Sequence, residues 1–112
     1  MVATIDELHE SASRITGLDD FGTDDYTDGL AVLLDSYERE ASLTPLGRKV
    51  KRAFVRGALM ARLLSEAAWK RHPEYADVAI ERPIFVTGLP RTGTTALHRL
   101  LTADPANQGL EV

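Results

Sequence analysis

The chain has 112 residues, of which 44% are apolar and 27% charged, enough for one small globular domain with its own core. It contains no cysteine, which excludes disulfides and thiolate metal sites and favours a reducing, cytoplasmic setting. No apolar run approaches the ~20 residues that cross a bilayer. The first seven residues lack the basic start and apolar run of a signal peptide.

The net charge of −4 is unevenly distributed along the chain. Residues 1–43 carry a net charge of −9, and residues 44–112 carry a net charge of +5. The second part can therefore attract an anion, while the first part can screen it. Nucleic acid is a poor candidate for that anion, because no aromatic side chains alternate with the cations.

The first two predicted elements are amphipathic helices. One covers residues 4–16, with Thr4 or Asp6 as its cap and Gly17 as its stop. An acidic loop follows, in which Phe21 is expected to point inward. The second helix is predicted to begin at Asp24 or Asp25 and to run to residue 41. Its apolar stripe consists of Tyr26, Leu30, Leu33, Leu34 and Tyr37.

The third predicted helix is the longest element. Thr44 and Pro45 form a start signal, and His72 and Pro73 end the helix. Its predicted core face consists of apolar and small residues at helical spacing: Leu46, Val50, Ala53, Phe54, Gly57, Ala61, Leu64 and Ala68. Leu59 and Leu63 lie outside this arc, which indicates that the second half is covered on more than one side.

The last third of the chain predicts a strand, a loop and a helix. After a connector with a short turn around Tyr75, residues 84–87 form a short apolar run without alternation, as in buried parallel strands. A helix is predicted from about residue 93 to residue 103. Residues 106–112 are predicted to lead into another element, with 110–112 as the start of a second strand. The fold class predicted is therefore α/β: a mostly helical region followed by the first strand–loop–helix unit of a parallel sheet.

The loop at residues 88–95 has the spacing of a phosphate-binding loop. It spells G-x-x-x-x-G-T-T, whereas a nucleotide-hydrolysing P-loop spells G-x-x-x-x-G-K-[ST]. Thr94 stands where the P-loop lysine would reach the outer phosphates, and the only cation in the loop is Arg91. This difference disfavours a kinase or NTPase. An ordinary strand–turn–helix connection is the structural alternative.

The string from Leu89 to Thr95, Leu-Pro-Arg-Thr-Gly-Thr-Thr, resembles the 5′-phosphosulfate-binding loop of bacterial sulfotransferases with a P-loop-like fold. The resemblance implies that 3′-phosphoadenylyl sulfate is the donor and that its sulfuryl group is transferred to a hydroxyl or amine of the acceptor. No metal ion is expected. The resemblance covers residues 83–105. It implies donor binding by these residues: Gly88, Pro90, Arg91, Thr92, Gly93, Thr94 and Thr95. Arg91 is also implied as the catalytic residue that stabilises charge on the leaving phosphate.

Other polar residues carry less information. The basic cluster near the start of the third helix consists of Arg48, Lys49, Lys51, Arg52 and Arg56. We interpret it as a solvated face partly neutralised by acidic residues of the second helix, rather than as a patch for anions or membranes. His98 is interpreted as packed or solvated. His9 and His72 lack metal-ligand spacing, so no metal site is predicted.

The pattern also predicts an incomplete domain. A single parallel strand cannot form a sheet, and the resemblance implies a 3′-phosphate site and a catalytic base further along. The sequence therefore predicts a helical N-terminal region at 1–82 and the truncated start of a sulfotransferase domain at 83–112. Such a piece would be inactive alone, and the alternative is a non-catalytic remnant or a module that binds an anion or a partner. The acceptor cannot be read from these residues.

Overall fold

A computed structural model describes residues 2–110 of the chain. The helices are α1 (Ile5–Thr16), α2 (Thr27–Arg39), α3 (Pro45–Arg71) and α4 (Thr94–Thr102), with a 3-10 turn at Pro73–Asp77 between α3 and α4. The chain divides into two compact units, Met1–Asp77 and Val78–Val112. We call them the helical unit and the loop unit. Among residues 2–110, none of the helices combines the length and the apolar composition that a membrane span needs.

Helix α1 begins and ends where the sequence predicts. The Thr4 hydroxyl accepts a hydrogen bond from the backbone N–H of Glu7, and the Glu7 carboxylate accepts one from the N–H of Thr4, which completes a capping box. At the other end Gly17 adopts a left-handed conformation with φ of 71°, and its N–H donates to the Ser13 carbonyl at 2.8 Å. Both ends of α1 are thus satisfied locally.

Helix α2 begins later than predicted. Asp24 and Asp25 lie in a turn, whose Asp24 carbonyl accepts hydrogen bonds from the N–H and the hydroxyl of Thr27. The helix starts at Thr27 with no side-chain cap from Tyr26, and it ends at Arg39 rather than at residue 41. The aspartates therefore build the turn before the helix instead of capping it.

The core of the helical unit forms mainly where α1 packs against α3. Helix α3 has the predicted start, with the Thr44 hydroxyl accepting from the Gly47 N–H at 3.0 Å and Pro45 in the first turn. The core comprises buried side chains from the N-terminal segment and all three helices: Val2, Ala3, Leu8, Ala12, Leu30, Leu34, Val55, Leu59 and Leu63. Leu8 and Leu63 are fully buried.

The predicted core face of α3 is wrong for the described residues. The buried residues are Val55, Leu59 and Leu63, which lie on the opposite side of the helix from the predicted face. All the residues of the predicted face are exposed, and Phe54 is 70% exposed. The cause is that α3 carries two apolar faces, whereas α1 covers only one of them. Helical periodicity cannot tell which of two apolar faces a neighbour will cover.

Arg62 of α3 holds the loop between α1 and α2 against α3 through hydrogen bonds. Its guanidinium donates to the carbonyls of Phe21, at 2.5 Å, and Thr23, at 2.8 Å, and it lies 4.3 Å from the ring centre of Tyr26. Phe21 is packed against the core, as predicted, and stacks on His9 with ring centres 4.4 Å apart. An otherwise irregular segment is therefore held by one partly buried cation.

The loop unit differs from the predicted strand–loop–helix arrangement. Helix α4 forms within one residue of its predicted bounds. Residues 84–87 have no regular secondary structure, and residues 2–110 contain no strand at all. The physical reason is that a strand satisfies its backbone N–H and C=O groups only beside a neighbouring strand. The predicted strand at residues 110–112 lies mostly outside the described residues.

Candidate functional site

The candidate site is the 88–95 loop with the first turn of α4. The loop closes on itself, because the Thr92 hydroxyl donates a hydrogen bond to the Leu89 carbonyl at 2.6 Å. A Cβ at Gly88 would lie 2.7 Å from the Thr92 hydroxyl oxygen and 3.1 Å from a Thr94 methyl carbon. Gly88 is therefore required by close approach, since a larger residue would push the threonines apart.

Two residues of the loop have a left-handed backbone conformation. Arg91 has a φ of 61° and Gly93 a φ of 89°. The Gly93 conformation suits glycine, but a left-handed arginine is uncommon in proteins. Such a conformation is retained where the surrounding structure fixes it, and here the closed turn from Leu89 to Thr92 encloses Arg91.

The first turn of α4 leaves backbone donors free. The first amide with a helical acceptor is that of Leu97, which donates to the Gly93 carbonyl at 3.0 Å. The amides of Thr94, Thr95 and Ala96 precede it and have no helical acceptor. The N-cap residue Gly93 has no side chain, and no other side chain of the described residues caps these amides. The positive end of the helix dipole thus points at open space, which is an arrangement that favours an anion.

The opposite end of α4 is closed by side chains of the helix and of the segment that follows it. The Thr102 hydroxyl donates to the His98 and Arg99 carbonyls, each at 3.0 Å, and the Asn107 amide donates to the Leu101 carbonyl at 3.0 Å. The Ala103 N–H also donates back into the last turn. The helix therefore satisfies its C-terminal carbonyls internally and leaves its N-terminal amides to an outside partner.

Four of the seven predicted binding residues line one concavity of about 450 Å³: Arg91, Gly93, Thr94 and Thr95. Gly88, Pro90 and Thr92 do not line it; Gly88 and Thr92 instead close the loop. Ala96, which is not among the seven predicted residues, also lines the concavity. Its backbone amide could have been predicted from the sequence as a free donor, because the third amide of any helix lacks a helical acceptor. Arg91 makes no side-chain hydrogen bond within the described residues.

Other titratable groups do not gather into a second centre. Among the described residues, no group of three or more His, Cys, Asp or Glu side chains is placed to hold a metal ion. His98 is half-buried on α4, His72 lies 3.1 Å from the Glu74 carboxylate, and the His9 ring is 2.9 Å from the Tyr26 hydroxyl. Arg48 of the basic cluster pairs with Glu38 of α2 at 2.9 Å, as the charge pattern predicts.

Comparisons with known proteins identify relatives of this chain. The model of the sulfotransferase family Sulfotransfer_3 matches residues 83–111, which contain the 88–95 loop. The crystal structure of sulfotransferase STF1 from Mycobacterium tuberculosis H37Rv is similar with a TM-score of 0.89 and 69% sequence identity, over 97% of this chain. That of sulfotransferase STF9 from Mycobacterium avium is similar with a TM-score of 0.81 and 38% identity, over 96% of this chain.

Each match covers nearly all of this chain but only a minor part of the relative. This chain covers only 30% of the STF1 chain and 27% of the STF9 chain, so it spans less than a third of either relative. The comparison with curated proteins gives no significant match. The likeness extends over both units of this chain, although the family model matches only the loop unit.

Proposed function

This chain belongs to the sulfotransferase family, and we propose that its 88–95 loop binds the 5′-phosphosulfate of 3′-phosphoadenylyl sulfate. The sulfuryl group would pass to the hydroxyl or amine of a small-molecule acceptor. The observation that supports this function is the open first turn of α4, whose residues line the same concavity as Arg91. Free amides and one cation suit the 5′-phosphosulfate, which carries one negative charge on its phosphate and one on its sulfate.

Different parts of the loop have different roles in this proposal. The backbone amides of Thr94, Thr95 and Ala96 would hold the phosphate oxygens, with the threonine hydroxyls as further donors. Gly88 and Thr92 keep the loop closed around the site. Arg91 presents a planar fork of donors, which suits an oxygen-rich group better than a point charge does. No metal ion is needed for these contacts.

Arg91 would also act on the transfer step. As the acceptor attacks sulfur, the bond between sulfur and the bridging oxygen breaks, and that oxygen keeps the electron pair. The acceptor's proton passes to a general base downstream of the loop, as the family resemblance implies. A guanidinium beside the bridging oxygen lowers the energy of the charge that develops there. Because this chain spans 30% of the STF1 relative, the complete transfer is proposed for the whole sulfotransferase, in a cytoplasmic setting.

The binding step can be tested on this chain. We expect adenosine 3′,5′-bisphosphate to shift the amide NMR signals of Thr94, Thr95 and Ala96, because those amides would donate to its 5′-phosphate. Arg91→Ala should weaken binding by about tenfold or more, since a charge-assisted hydrogen bond is worth roughly 1.5–3 kcal/mol. Arg99→Ala, on the same helix, is the matched control and should weaken binding much less.

Two results would contradict the proposal. Equal weakening by Arg91→Ala and Arg99→Ala would mean that general charge, not the loop, attracts the nucleotide. Absence of any shift in the first turn of α4 would leave a non-catalytic module that binds a protein partner. Magnesium-dependent binding of ATP in place of the bisphosphate would favour the kinase or NTPase alternative.

A further inference from the structure

Helix α3 carries a second apolar face that nothing in the helical unit covers. We call it the outer stripe, and it consists of these residues: Leu46, Val50, Ala53, Phe54, Gly57, Ala61, Leu64 and Ala68. Its members recur every three or four positions over 23 residues, which is roughly 35 Å of helix at 1.5 Å per residue. The other face of α3, with Val55, Leu59 and Leu63, is buried.

Exposure of the outer stripe is unusual for a folded protein in water. Leu46, Val50, Phe54 and Leu64 all stand more than half exposed along the same side of α3. Single exposed apolar residues need no explanation, but a contiguous row of them marks a surface that is covered in use. A helix that is apolar on opposite sides is typically buried on both.

We propose that the outer stripe is a docking face for the part of a sulfotransferase that this chain does not match. STF1 shares the fold of 97% of this chain at a TM-score of 0.89, yet that region is only 30% of its length. The remaining 70% of such a protein is therefore available to cover the stripe. This inference rests on the family membership of the chain and not on donor binding by the 88–95 loop.

The chemistry of α3 indicates what the covering surface looks like. The helix carries eight Lys and Arg residues and one acidic residue, Glu66. Five of the eight cations form no ion pair within the described residues, so the covering surface is expected to bring Asp and Glu to its rim. Small residues at Ala53, Gly57, Ala61 and Ala68 are interspersed with large ones, which suits interdigitation with protein side chains. An anionic membrane is disfavoured, because three of these cations, Arg48, Arg62 and Lys70, already pair with acidic side chains of the helical unit.

A cavity beside the stripe offers a place for an anchoring side chain. It measures about 350 Å³ and lies between α2 and α3, with Leu33, Phe54 and Ala58 among its lining residues. Phe54 belongs to both the cavity and the outer stripe. An apolar side chain of the covering polypeptide could therefore enter this cavity while its neighbours lie along the stripe, which is typical of interface anchors.

The test joins this chain to the unmatched part of STF1 in one polypeptide and compares it with the chain alone. Hydroxyl-radical footprinting should show Phe54 and Leu64 oxidised several-fold more slowly in the joined polypeptide. Val32 is 69% exposed on α2, outside the stripe and the cavity, and its oxidation rate should stay unchanged as an internal control. Equal oxidation of Phe54 in both polypeptides would overturn the proposal.

Substitutions give a second readout that does not depend on labelling. Phe54→Asp should lower the melting temperature of the joined polypeptide by about 5 °C or more, because a carboxylate would be buried without a partner. The same change should leave the chain alone nearly unaffected, since Phe54 is exposed there. Val32→Asp should affect neither. Protection of the stripe by self-association of the chain, or by anionic vesicles, would assign a different occupant and overturn the proposal. Loss of bisphosphate binding with a protected stripe would instead refute only the donor site.

Discussion

The helical unit and the loop unit differ in how much of their apolar surface is buried. Among the described residues, the helical unit buries nine apolar side chains in one core, and Arg62 holds the loop between α1 and α2 against that core. In the loop unit no described residue is buried, and Phe85 is 81% exposed. Both units contain well-formed helices, so the difference lies in packing rather than in local structure.

The contrast teaches that family identity and structural self-sufficiency reside in different parts of this chain. The family model matches the loop unit, where the sequence resembles a donor loop. Yet burial of apolar surface, which is the main stabilising term in folding, is concentrated in the helical unit. We therefore expect the helical unit to dominate the measured stability of the chain, and the loop unit to respond to ligands and covering surfaces.

The largest expected effect compares two leucines, one from each unit. Leu63 is fully buried, whereas Leu100 is 72% exposed. Leu63→Ala should lower the free energy of unfolding by about 2–5 kcal/mol, because it leaves a cavity in the core. Leu100→Ala should change it by less than about 0.5 kcal/mol. Urea unfolding followed by far-UV circular dichroism measures both.

This comparison has a control that keeps it informative if Leu63→Ala does not fold. Val55→Ala removes fewer atoms from the same core and should cost less than Leu63→Ala. Similar losses at Leu63 and Leu100 would show that the loop unit contains a core of its own. In the polypeptide joined to the unmatched part of STF1, a larger cost for Leu100→Ala would show that the loop unit gains a cover there.

The sequence predicts several helix ends, the inward packing of Phe21 and most of the apolar stripe of α2, but not the buried face of α3 or the conformation of residues 84–87. Thr4, Gly17 and the Thr44–Pro45 pair locate helix ends because their signals act within one turn. The choice between the two apolar faces of α3 depends on where α1 lies, which no local pattern states. Residues 84–87 have the composition of a buried strand, but strand formation depends on a neighbour that the described residues lack.

In the candidate site, too, features set by neighbouring residues could be predicted, and features set by distant residues could not. The spacing of the 88–95 loop predicts a phosphate-binding turn at the start of a helix, which depends on neighbouring residues alone. The hydrogen bond from the Thr92 hydroxyl that closes the loop was not predicted. The concavity also includes Ala96, whose side chain carries no chemical signal. What the sequence could not supply is the acceptor side of the site, because acceptor recognition would come from surfaces distant in sequence.

The next prediction compares two arginines, one engaged and one free. Arg62→Ala removes the donors to the Phe21 and Thr23 carbonyls and should lower the free energy of unfolding by about 2 kcal/mol. Arg91→Ala should change it by less than about 0.5 kcal/mol, because Arg91 makes no side-chain hydrogen bond within the described residues. Chemical unfolding of the two variants measures the difference.

A second measurement shows whether Arg62 acts through its charge as well as its hydrogen bonds. Burial raises the pKa of the Tyr26 hydroxyl, and the nearby Arg62 guanidinium opposes that rise. Arg62→Ala should therefore raise the Tyr26 pKa further, as followed by ultraviolet titration. Arg62→Lys keeps the charge but loses the fork, so it should preserve the Tyr26 pKa better than the stability. An unchanged Tyr26 pKa in Arg62→Ala would contradict the assigned contact.

The smallest expected effect concerns an exposed ion pair of the helical unit. The Asp20 carboxylate accepts a hydrogen bond from the Lys70 ammonium, which is the main reason that the pKa of Asp20 lies below its usual 3.8; the Gly22 N–H, at 2.8 Å, lowers it further. A lowered carboxyl pKa contributes stability above the usual value, and that contribution disappears as the pH falls through the lowered pKa. Asp20→Asn should thus be slightly less stable than the parent chain at neutral pH.

The difference between the parent chain and Asp20→Asn should shrink to nothing as the pH falls below that lowered pKa, when Asp20 is protonated. Lys70→Gln is the matched control and should remove most of the same pH dependence, because the hydrogen bond from Lys70 is its leading cause. If the gap between the parent chain and Asp20→Asn persisted in strong acid, the turn geometry around Gly22 rather than ionisation would be responsible. A gap that followed protonation would instead show that charge, and not only burial, joins the loop after α1 to the end of α3.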